Sequence, residues 1–174
     1  MNLKKFIILI ASILFAKEIY FMPMQGNEAQ NRLIELFSHA HNSIKITIYS
    51  FTNKKLARAL KIAARKGVKI TIIADKKEAK YHRSVIPNLA AIKNIEVHIL
   101  TGKRYKNGDR AKMHVKMSII DDKYLVIGSA NYSYSAFFKN YEYILIETDK
   151  YTLNKFEDFF EELKCISTPY RLIR

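Results

Sequence analysis

The sequence predicts an α/β fold in which a partly parallel β-sheet is flanked by α-helices. The segment SIKITIYSF, residues 43–51, alternates isoleucines with polar residues, as a half-buried strand does. Asn53 then caps a predicted helix over 54–66, which Gly67 ends. The segment VKITIIAD at 68–75 is typical of a further strand. Because a strand, a helix and another strand form a βαβ unit, we expect these two strands to be parallel.

The other elements follow from hydrophobic periodicity and from turn residues. On the amino-terminal side, the strand EIYFM stops at Pro23, and a helix follows over 27–41. A basic, glycine-bearing loop over 101–113 interrupts the second half of the chain. The remaining predicted elements are, in order, a helix within 83–92, strands over 95–100, 114–120 and 124–128, a short helix from Ser133, a strand over 141–148 and a helix over 153–165.

The chain length and the net charge limit the domain organisation and the class of partner. The sequence has 174 residues, of which 49% are hydrophobic, so we expect one compact domain over 17–174. Thirty Lys and Arg residues against sixteen Asp and Glu residues give a formal net charge of +14. Such a charge favours a polyanionic partner, either nucleic acid or an anionic membrane surface. The single cysteine, Cys165, excludes an intramolecular disulfide and a cysteine zinc cluster.

Residues 1–16 have the pattern of a targeting segment. Lys4 and Lys5 precede the apolar run 6–16, whose length fits a signal peptide and is too short for an ordinary transmembrane helix. This pattern predicts an exported protein that is periplasmic, outer-membrane-associated or secreted. Leu14 stands where a signal peptidase prefers a small residue, so the competing interpretation is an uncleaved anchor that associates the protein with a membrane.

The segment HVKMSIIDD, residues 114–122, carries the residues that suggest catalysis. In a strand, His114 and Lys116 would project from the same face. A histidine can act as nucleophile or acid near neutral pH, and a nearby lysine can neutralise a phosphate oxygen. The turn that follows brings Ser129 and Asn131, which can donate hydrogen bonds to a transition state of growing negative charge. These residues predict a phosphoryl-transfer site that uses neither a metal ion nor a cofactor.

This segment resembles the His-Lys-Asp signature of the phospholipase D superfamily. The matched positions are His114-x-Lys116-x₄-Asp121-x₆-Gly128-Ser129-x-Asn131. The segments YSFT at 49–52 and ALKIAARKGVKITIIAD at 59–75, together with Glu142, also resemble bacterial Nuc-type endonucleases. The resemblance implies a mixed, partly parallel β-sheet sandwiched between α-helices. It also implies a two-fold homodimer of chains of about this size.

The resemblance assigns roles to two carboxylates. It implies that Asp121 is mainly architectural and that Glu142 orients the nucleophilic His114. Cleavage through a phosphohistidine needs one group to attack phosphorus and a second to protonate the leaving oxygen. One signature supplies one histidine, so we expect two chains to share a site on the two-fold axis, with both His114 side chains facing one phosphate.

Basic and aromatic residues near the signature are candidate substrate contacts. The loop before it carries four cations that can bind a phosphate backbone, namely Lys103, Arg104, Lys106 and Arg110. Three tyrosines, Tyr105, Tyr132 and Tyr134, are candidates for stacking on bases.

Three functions remain open on the sequence alone. The favoured one is a metal-independent endonuclease that hydrolyses DNA, with single-stranded DNA or RNA as alternative substrates. The second is a phospholipase of the cardiolipin-hydrolase kind, which shares the signature. The third is a basic nucleic-acid-binding protein with an inactive site. The intact signature favours an enzyme, and the charge favours nucleic acid over lipid.

Overall fold

The protein forms one eight-stranded β-sheet with helices on both faces. The computed structural model describes residues 17–171, so the predicted leader at 1–16 lies outside the described residues. The strand order across the sheet is β1-β7-β6-β5-β2-β3-β4-β8. The strands are β1 Glu18–Met22, β2 Ser43–Ile48, β3 Lys69–Asp75, β4 Ile95–Leu100, β5 Met117–Ile120, β6 Tyr124–Gly128, β7 Glu142–Glu147 and β8 Thr168–Pro169. The helices are α1 Gly26–Ser38, α2 Lys54–Arg65, α3 Ile86–Ala90, α4 Tyr134–Phe138 and α5 Lys150–Cys165, with a single 3₁₀ turn at Glu78–Lys80.

The sheet is parallel over three neighbouring strands and antiparallel elsewhere. Strands β2, β3 and β4 run parallel, with Ile46 opposite Ile72 and Ile72 opposite Val97. The other neighbouring strands are antiparallel, including β5 against β2 and β6. The predicted βαβ unit and the predicted mixed sheet are therefore confirmed.

Two separate apolar clusters cover the two faces of the sheet. One joins α1 and α2 to the sheet through residues such as Leu33, Leu60 and Ile46. The other packs Leu153 and Phe160 of α5 against the opposite face. Because alternate residues of a strand point to opposite faces, β3 and β5 contribute to both layers. The predicted sandwich of helices around the sheet is thus confirmed.

Strands β5 and β2 differ in detail from the predictions. Strand β5 begins at Met117 rather than at His114, because its pairing with β2 ends at Thr47 opposite Met117. The segment before it continues without strand pairing and brings His114 to the edge of the sheet. Strand β2 is not half-buried, since Thr47 is fully buried and Lys45 forms an ion pair with Glu157 of α5.

Most of the signature lies along one edge of the sheet, the edge that is formed by the ends of strands and not by an outermost strand. Strand β3 ends at Asp75 and β6 ends at Gly128, while β5 begins at Met117 and β7 begins at Glu142. Antiparallel pairing puts Gly128 opposite Ile144 and Met117 opposite Ile127, so these ends meet. Within residues 17–171, no helix is long and apolar enough to cross a membrane.

Candidate active site

His114 and Lys116 form a contacting pair in the segment that leads into β5. The Lys116 Nζ donates a hydrogen bond to the backbone carbonyl of His114 at 2.7 Å. The same nitrogen lies 2.9 Å from His114 Nδ1 and 3.3 Å from Nε2. Lys116 is only 8% exposed, whereas His114 is open to solvent. The lysine therefore contacts the histidine from the protein interior, and the imidazole remains accessible to a substrate.

The surroundings favour the neutral form of His114. Partial desolvation of the ring, followed by the charges of Lys116 and Lys112, lowers the pKa of His114 below its ordinary value. The carboxylates of Asp75 and Glu142 act in the opposite direction but do not outweigh the lowering. Burial likewise lowers the pKa of Lys116, and Glu142 opposes that shift. A neutral imidazole has an unprotonated nitrogen, which is the form required for attack on phosphorus.

The lowered pKa of His114 predicts how the rate of attack depends on pH. A lower pKa means that more of the ring is unprotonated at a given acidic pH, so the acid limb should lie below about pH 6.5, the ordinary histidine value. Lys112→Ala removes one neighbouring cation, which should raise the pKa and move that limb to higher pH. Rapid-quench measurement of phosphoenzyme formation across pH, for the wild type and Lys112→Ala, tests this. A limb that moves to lower pH in the variant would contradict it.

Ser129 and Glu142 are bound to each other. The Ser129 hydroxyl donates to the Glu142 carboxylate and accepts the N–H of Tyr143 at 3.2 Å. Gly128 allows this approach, because a Cβ there would lie 2.2 Å from the Tyr143 carbonyl oxygen. Within one described chain, Glu142 therefore bonds Ser129 and not the His114 ring that it was expected to orient. Its action on His114 in this chain is the electrostatic one on the pKa, and an orienting role stays a prediction.

Asn131 presents its amide at the same edge of the sheet. Its Oδ1 accepts the N–H of Ser50 at 3.2 Å, which fixes the side chain to the segment that follows β2. In the part of the chain that the structure describes, the Asn131 NH₂ group makes no hydrogen bond and is available to a phosphate oxygen. Asn131 and Tyr49 line a cleft of about 420 Å³ that opens at this edge.

Tyr132 is a core residue, so the prediction that it stacks on bases is wrong. Its side chain is 3% exposed, and its hydroxyl lies 2.6 Å from the Ser118 hydroxyl of β5. Its carbonyl accepts the N–H groups of Thr52 and Asn53. These bonds tie the signature strand, the turn after β6 and the start of α2 into one unit.

Two residues that the sequence analysis did not assign shape the site. The buried Asp75 carboxylate accepts the N–H of Met113 at 3.0 Å, which anchors the chain just before His114. Its other oxygen accepts the N–H groups of Lys77 and Glu78. The ring of Tyr49 packs on that of His114, with centroids 4.6 Å apart. The sequence could have indicated a role for Asp75, because this carboxylate stands at the end of a predicted buried parallel strand.

Asp121 lies at the other end of β5 from His114. Its carboxylate accepts three backbone N–H groups, from His41 and Asn42 at 2.8 Å each and from Ser43 at 3.0 Å. These hydrogen bonds lower the pKa of Asp121 against the opposing effect of burial. The structure therefore places Asp121 apart from the other signature residues, at the junction between α1 and β2.

Asp121→Ala is expected to cost stability. Without the carboxylate, three backbone donors lose a charged acceptor, so the free energy of unfolding should fall by about 2–4 kcal/mol. Because the pKa of Asp121 is lowered in the folded state, its stabilisation is present above its unfolded pKa and is lost as pH falls through the folded value. Urea denaturation at neutral and acidic pH measures both effects. A variant with wild-type stability and no turnover would instead place Asp121 in the chemistry.

The basic loop before the signature forms a hairpin at the surface. Backbone hydrogen bonds link Gly102 to Ala111 and Tyr105 to Asp109. Tyr105 is 59% exposed, and Lys103, Arg104, Lys106 and Arg110 are all exposed. The loop leads through Lys112, whose Nζ lies over the Tyr49 ring at 5.3 Å, into His114. Among residues 17–171, no group of three or more His, Cys, Asp or Glu side chains is arranged to hold a metal ion.

Curated proteins and family models identify the relatives of this chain. The family model described as cardiolipin synthase, PLD-like domain, matches residues 33–164. The mitochondrial cardiolipin hydrolase of Danio rerio is 25% identical over 142 residues, which cover 82% of this chain and 60% of that protein. The human protein of that name is 28% identical over 141 residues, which cover 79% of this chain and 53% of that protein. The chain therefore spans between about half and three fifths of the length of these relatives.

Solved structures share the whole fold. NucT from Helicobacter pylori superposes with a TM-score of 0.87 at 35% identity, over 90% of this chain and 99% of that one. Nuc from Salmonella typhimurium, a phospholipase D family member, superposes with a TM-score of 0.75 at 21% identity, over 91% of this chain and 99% of that one. The family match and the NucT match together carry the assignment. The chain belongs to the phospholipase D superfamily, as a protein of the Nuc type.

Proposed function

We propose that this protein is a metal-independent endonuclease that hydrolyses DNA through a phosphohistidine intermediate. The observation that carries the proposal is the pairing of an exposed His114, whose pKa is lowered, with the buried Lys116, next to the Tyr49 ring that lines an open cleft. The likeness to NucT over nearly the whole of both chains and the net charge of +14 support nucleic acid as the substrate.

The proposed reaction proceeds in two displacements. The unprotonated nitrogen of His114 attacks phosphorus and forms a P–N bond, while the bond to the leaving oxygen breaks and that oxygen takes a proton from a second acid. Water then attacks the phosphohistidine and gives a proton to the second group, which lost its own in the first step, while the P–N bond breaks and releases His114 and the phosphate end. Lys116 and the free amide of Asn131 bind the equatorial oxygens as their negative charge grows. A lysine supplies the positive charge that a metal ion supplies in other phosphodiesterases.

The second acid is proposed to be His114 of a second copy of the chain. Each chain has one signature, and the other histidines lie outside it. An exposed apolar surface formed by Ile19 and Phe21 of β1 and Tyr143 of β7 lies beside Glu142. These side chains are 51%, 54% and 48% exposed, and burying them would stabilise an association. A two-fold contact through this surface would bring both sites to the axis.

The leader at 1–16 supports a place of action outside the cytoplasm. We propose export to the periplasm, the outer membrane or the medium, with cleaved and anchored forms as the two possibilities. Comparing the amino terminus and the mass of the protein from the membrane fraction with those of the protein from the soluble fraction distinguishes these forms.

The hairpin before the signature is proposed to bind the substrate backbone. Replacing Lys103, Arg104, Lys106 and Arg110 together by alanine removes up to four phosphate contacts per chain. Binding to single-stranded DNA should weaken, and the slope of log K against log salt should become shallower by up to about 3 units. Tyr105→Ala should weaken binding of single strands more than of duplex, because unpaired bases can stack on its ring. Fluorescence anisotropy over a salt series measures these effects, and an unchanged slope in the quadruple variant would place the backbone elsewhere.

Cardiolipin hydrolysis is the second candidate function. Cardiolipin hydrolases in several animals match most of this chain, and a cardiolipin is also a phosphodiester. Exposed apolar residues such as Met24, 69% exposed, would suit contact with a lipid surface. A basic nucleic-acid-binding protein without activity is the third possibility and the one least compatible with the assembled site.

A single set of assays separates these functions. The purified protein is incubated in excess EDTA with plasmid DNA, single-stranded DNA, RNA and vesicles containing cardiolipin. We expect cleavage of nucleic acid in EDTA and little release of phosphatidic acid. Activity that disappears in EDTA and returns with magnesium would overturn the metal-independent mechanism. Hydrolysis of cardiolipin alone would assign the second function, and binding of DNA without cleavage would assign the third.

A further inference from the structure

A second, larger groove lies beside the active-site cleft. It has a volume of about 740 Å³ and runs between α2 and the segment around residues 82–88. Three cations of α2 line one side, and His82 and Arg83 line the other. The α2 cations are Lys54, Arg58 and Lys61, which lie at helical spacing on one face of the helix.

The groove is electropositive, and no acidic side chain of its lining offsets the positive charge. Its lining residues include no Asp or Glu. In the described part of the chain, Lys54, Arg58, Lys61 and Arg83 take part in none of the ion pairs. Cations on an open surface that pair with no carboxylate are free to bind the phosphates of a ligand.

The groove is continuous with the active-site cleft. Thr52, Arg83 and Tyr134 line both cavities, and the cleft also contains Asn131 and Tyr49. Tyr134 is 64% exposed at the junction, where its ring can stack on an unpaired base. A chain molecule whose phosphate lies at His114 can therefore extend past Tyr134 into the groove.

We propose that this groove binds the backbone of a single-stranded polynucleotide on one side of the scissile phosphate. The inference rests on the proposed nuclease function and names a substrate-binding surface for it. Lys54 to Lys61 span seven residues of helix, or about 10 Å at ~1.5 Å per residue. A row of cations of this length can bind successive phosphates of one strand.

The shape and composition of the groove favour a polynucleotide over a lipid surface. A surface that inserts into a membrane needs exposed apolar side chains. The two apolar residues of the lining, Ala57 and Val85, are 4% and 6% exposed. The exposed apolar residues Ile19, Phe21 and Met24 belong to β1 and the turn after it and do not line the groove. A groove with cations along both walls and one exposed aromatic ring is instead typical of single-strand binding.

The test compares two triple variants of equal charge change in the full chain. The groove variant carries Lys54→Ala, Arg58→Ala and Lys61→Ala. The control variant carries Arg65→Ala, Lys66→Ala and Lys69→Ala, which are exposed cations at the end of α2 and the start of β3 outside the groove. Each is assayed for kcat/KM on a strand of about 20 nucleotides and on bis(p-nitrophenyl) phosphate, a diester with a single phosphorus.

We expect the ratio of kcat/KM for the long strand to that for the small diester to fall at least about tenfold in the groove variant. In the control variant the ratio should stay within about twofold of the wild type. The salt slope of strand binding should become shallower by about 2 units in the groove variant, since three contacts are lost. Arg83→Gln, on the facing wall, should lower the same ratio. Turnover of the small diester by each variant shows that it is folded.

An unchanged ratio in the groove variant, or an equal fall in both triple variants, would overturn the proposal. So would a groove variant that cleaves long strands normally but no longer binds cardiolipin vesicles. If the wild type hydrolyses the small diester but no polynucleotide, the proposed nuclease function itself fails. Wild-type cleavage of strands with no effect of the groove substitutions rejects the groove alone.

Discussion

His114→Ala will abolish turnover and leave the protein folded. The substitution removes the only signature histidine, and with it the nitrogen that is proposed to form the P–N bond. The loss in kcat should be on the order of 10³-fold or more, as when a covalent nucleophile is removed. Lys116 and the surface cations remain, so binding of single-stranded DNA should change little.

His39→Ala is the matched control for this experiment. His39 is exposed at the end of α1, beside Asp121 at the opposite edge of the sheet. Its substitution should leave kcat within about twofold of the wild type. Incubation with labelled substrate, stopped with an alkaline denaturant because the P–N bond of a phosphohistidine is acid-labile, should trap phosphoenzyme in the wild type and in His39→Ala, but not in His114→Ala. Phosphoenzyme on His114→Ala, or more than a few per cent of residual turnover, would assign the nucleophile to another residue.

Mixing wild-type and His114→Ala chains should reduce activity more steeply than simple dilution. If two chains share one site, only dimers with two intact histidines can both attack phosphorus and protonate the leaving oxygen. At a wild-type fraction f with free exchange, activity should follow f², so an equal mixture should retain about one quarter. Substrate binds to the mixed dimers through Lys116 and Asn131, but the reaction does not proceed in them.

The shape of the mixing curve decides between a shared and a self-contained site. Native mass spectrometry of the same samples gives the fractions of the three dimers, against which the activity is plotted. Mixing with the control chain His39→Ala should leave the activity independent of composition. A straight line in f with His114→Ala, together with a monomeric mass, would reject the shared site while leaving the nuclease function intact.

The fold was predictable because its signals are local. Asn53 accepts the N–H groups of Lys55 and Leu56 and so begins α2, and Gly67 follows its end with a φ of 98°. These caps act through contacts between neighbours in the sequence. Strand β8 was not predicted, because it has two residues and pairs only with the edge of β4. So short a strand has no periodicity to detect.

Of the site residues, only those that belong to the signature or to the family resemblance could be predicted from the sequence. The bond from Met113 to Asp75 joins residues 38 positions apart, and no periodicity in the sequence reports it. The same limit applies to the packing of Tyr49 on His114. Ser129 and Glu142 were both predicted, but their bond to each other depends on the register of β6 and β7 at Gly128. Such contacts can be identified only when the pairing register of the strands is known.

The number of residues between Lys116 and Asp121 in the sequence equals the length of strand β5. The four residues between them are β5 itself, Met117–Ile120, so five steps of about 3.4 Å each place Asp121 about 17 Å along the strand from Lys116. Inserting or deleting one residue would turn Ser118 away from Tyr132 and detach Asp121 from its three N–H groups. The four-residue gap thus sets the length of β5, and the three hydrogen bonds of Asp121 at its far end form only when the strand is in the observed register.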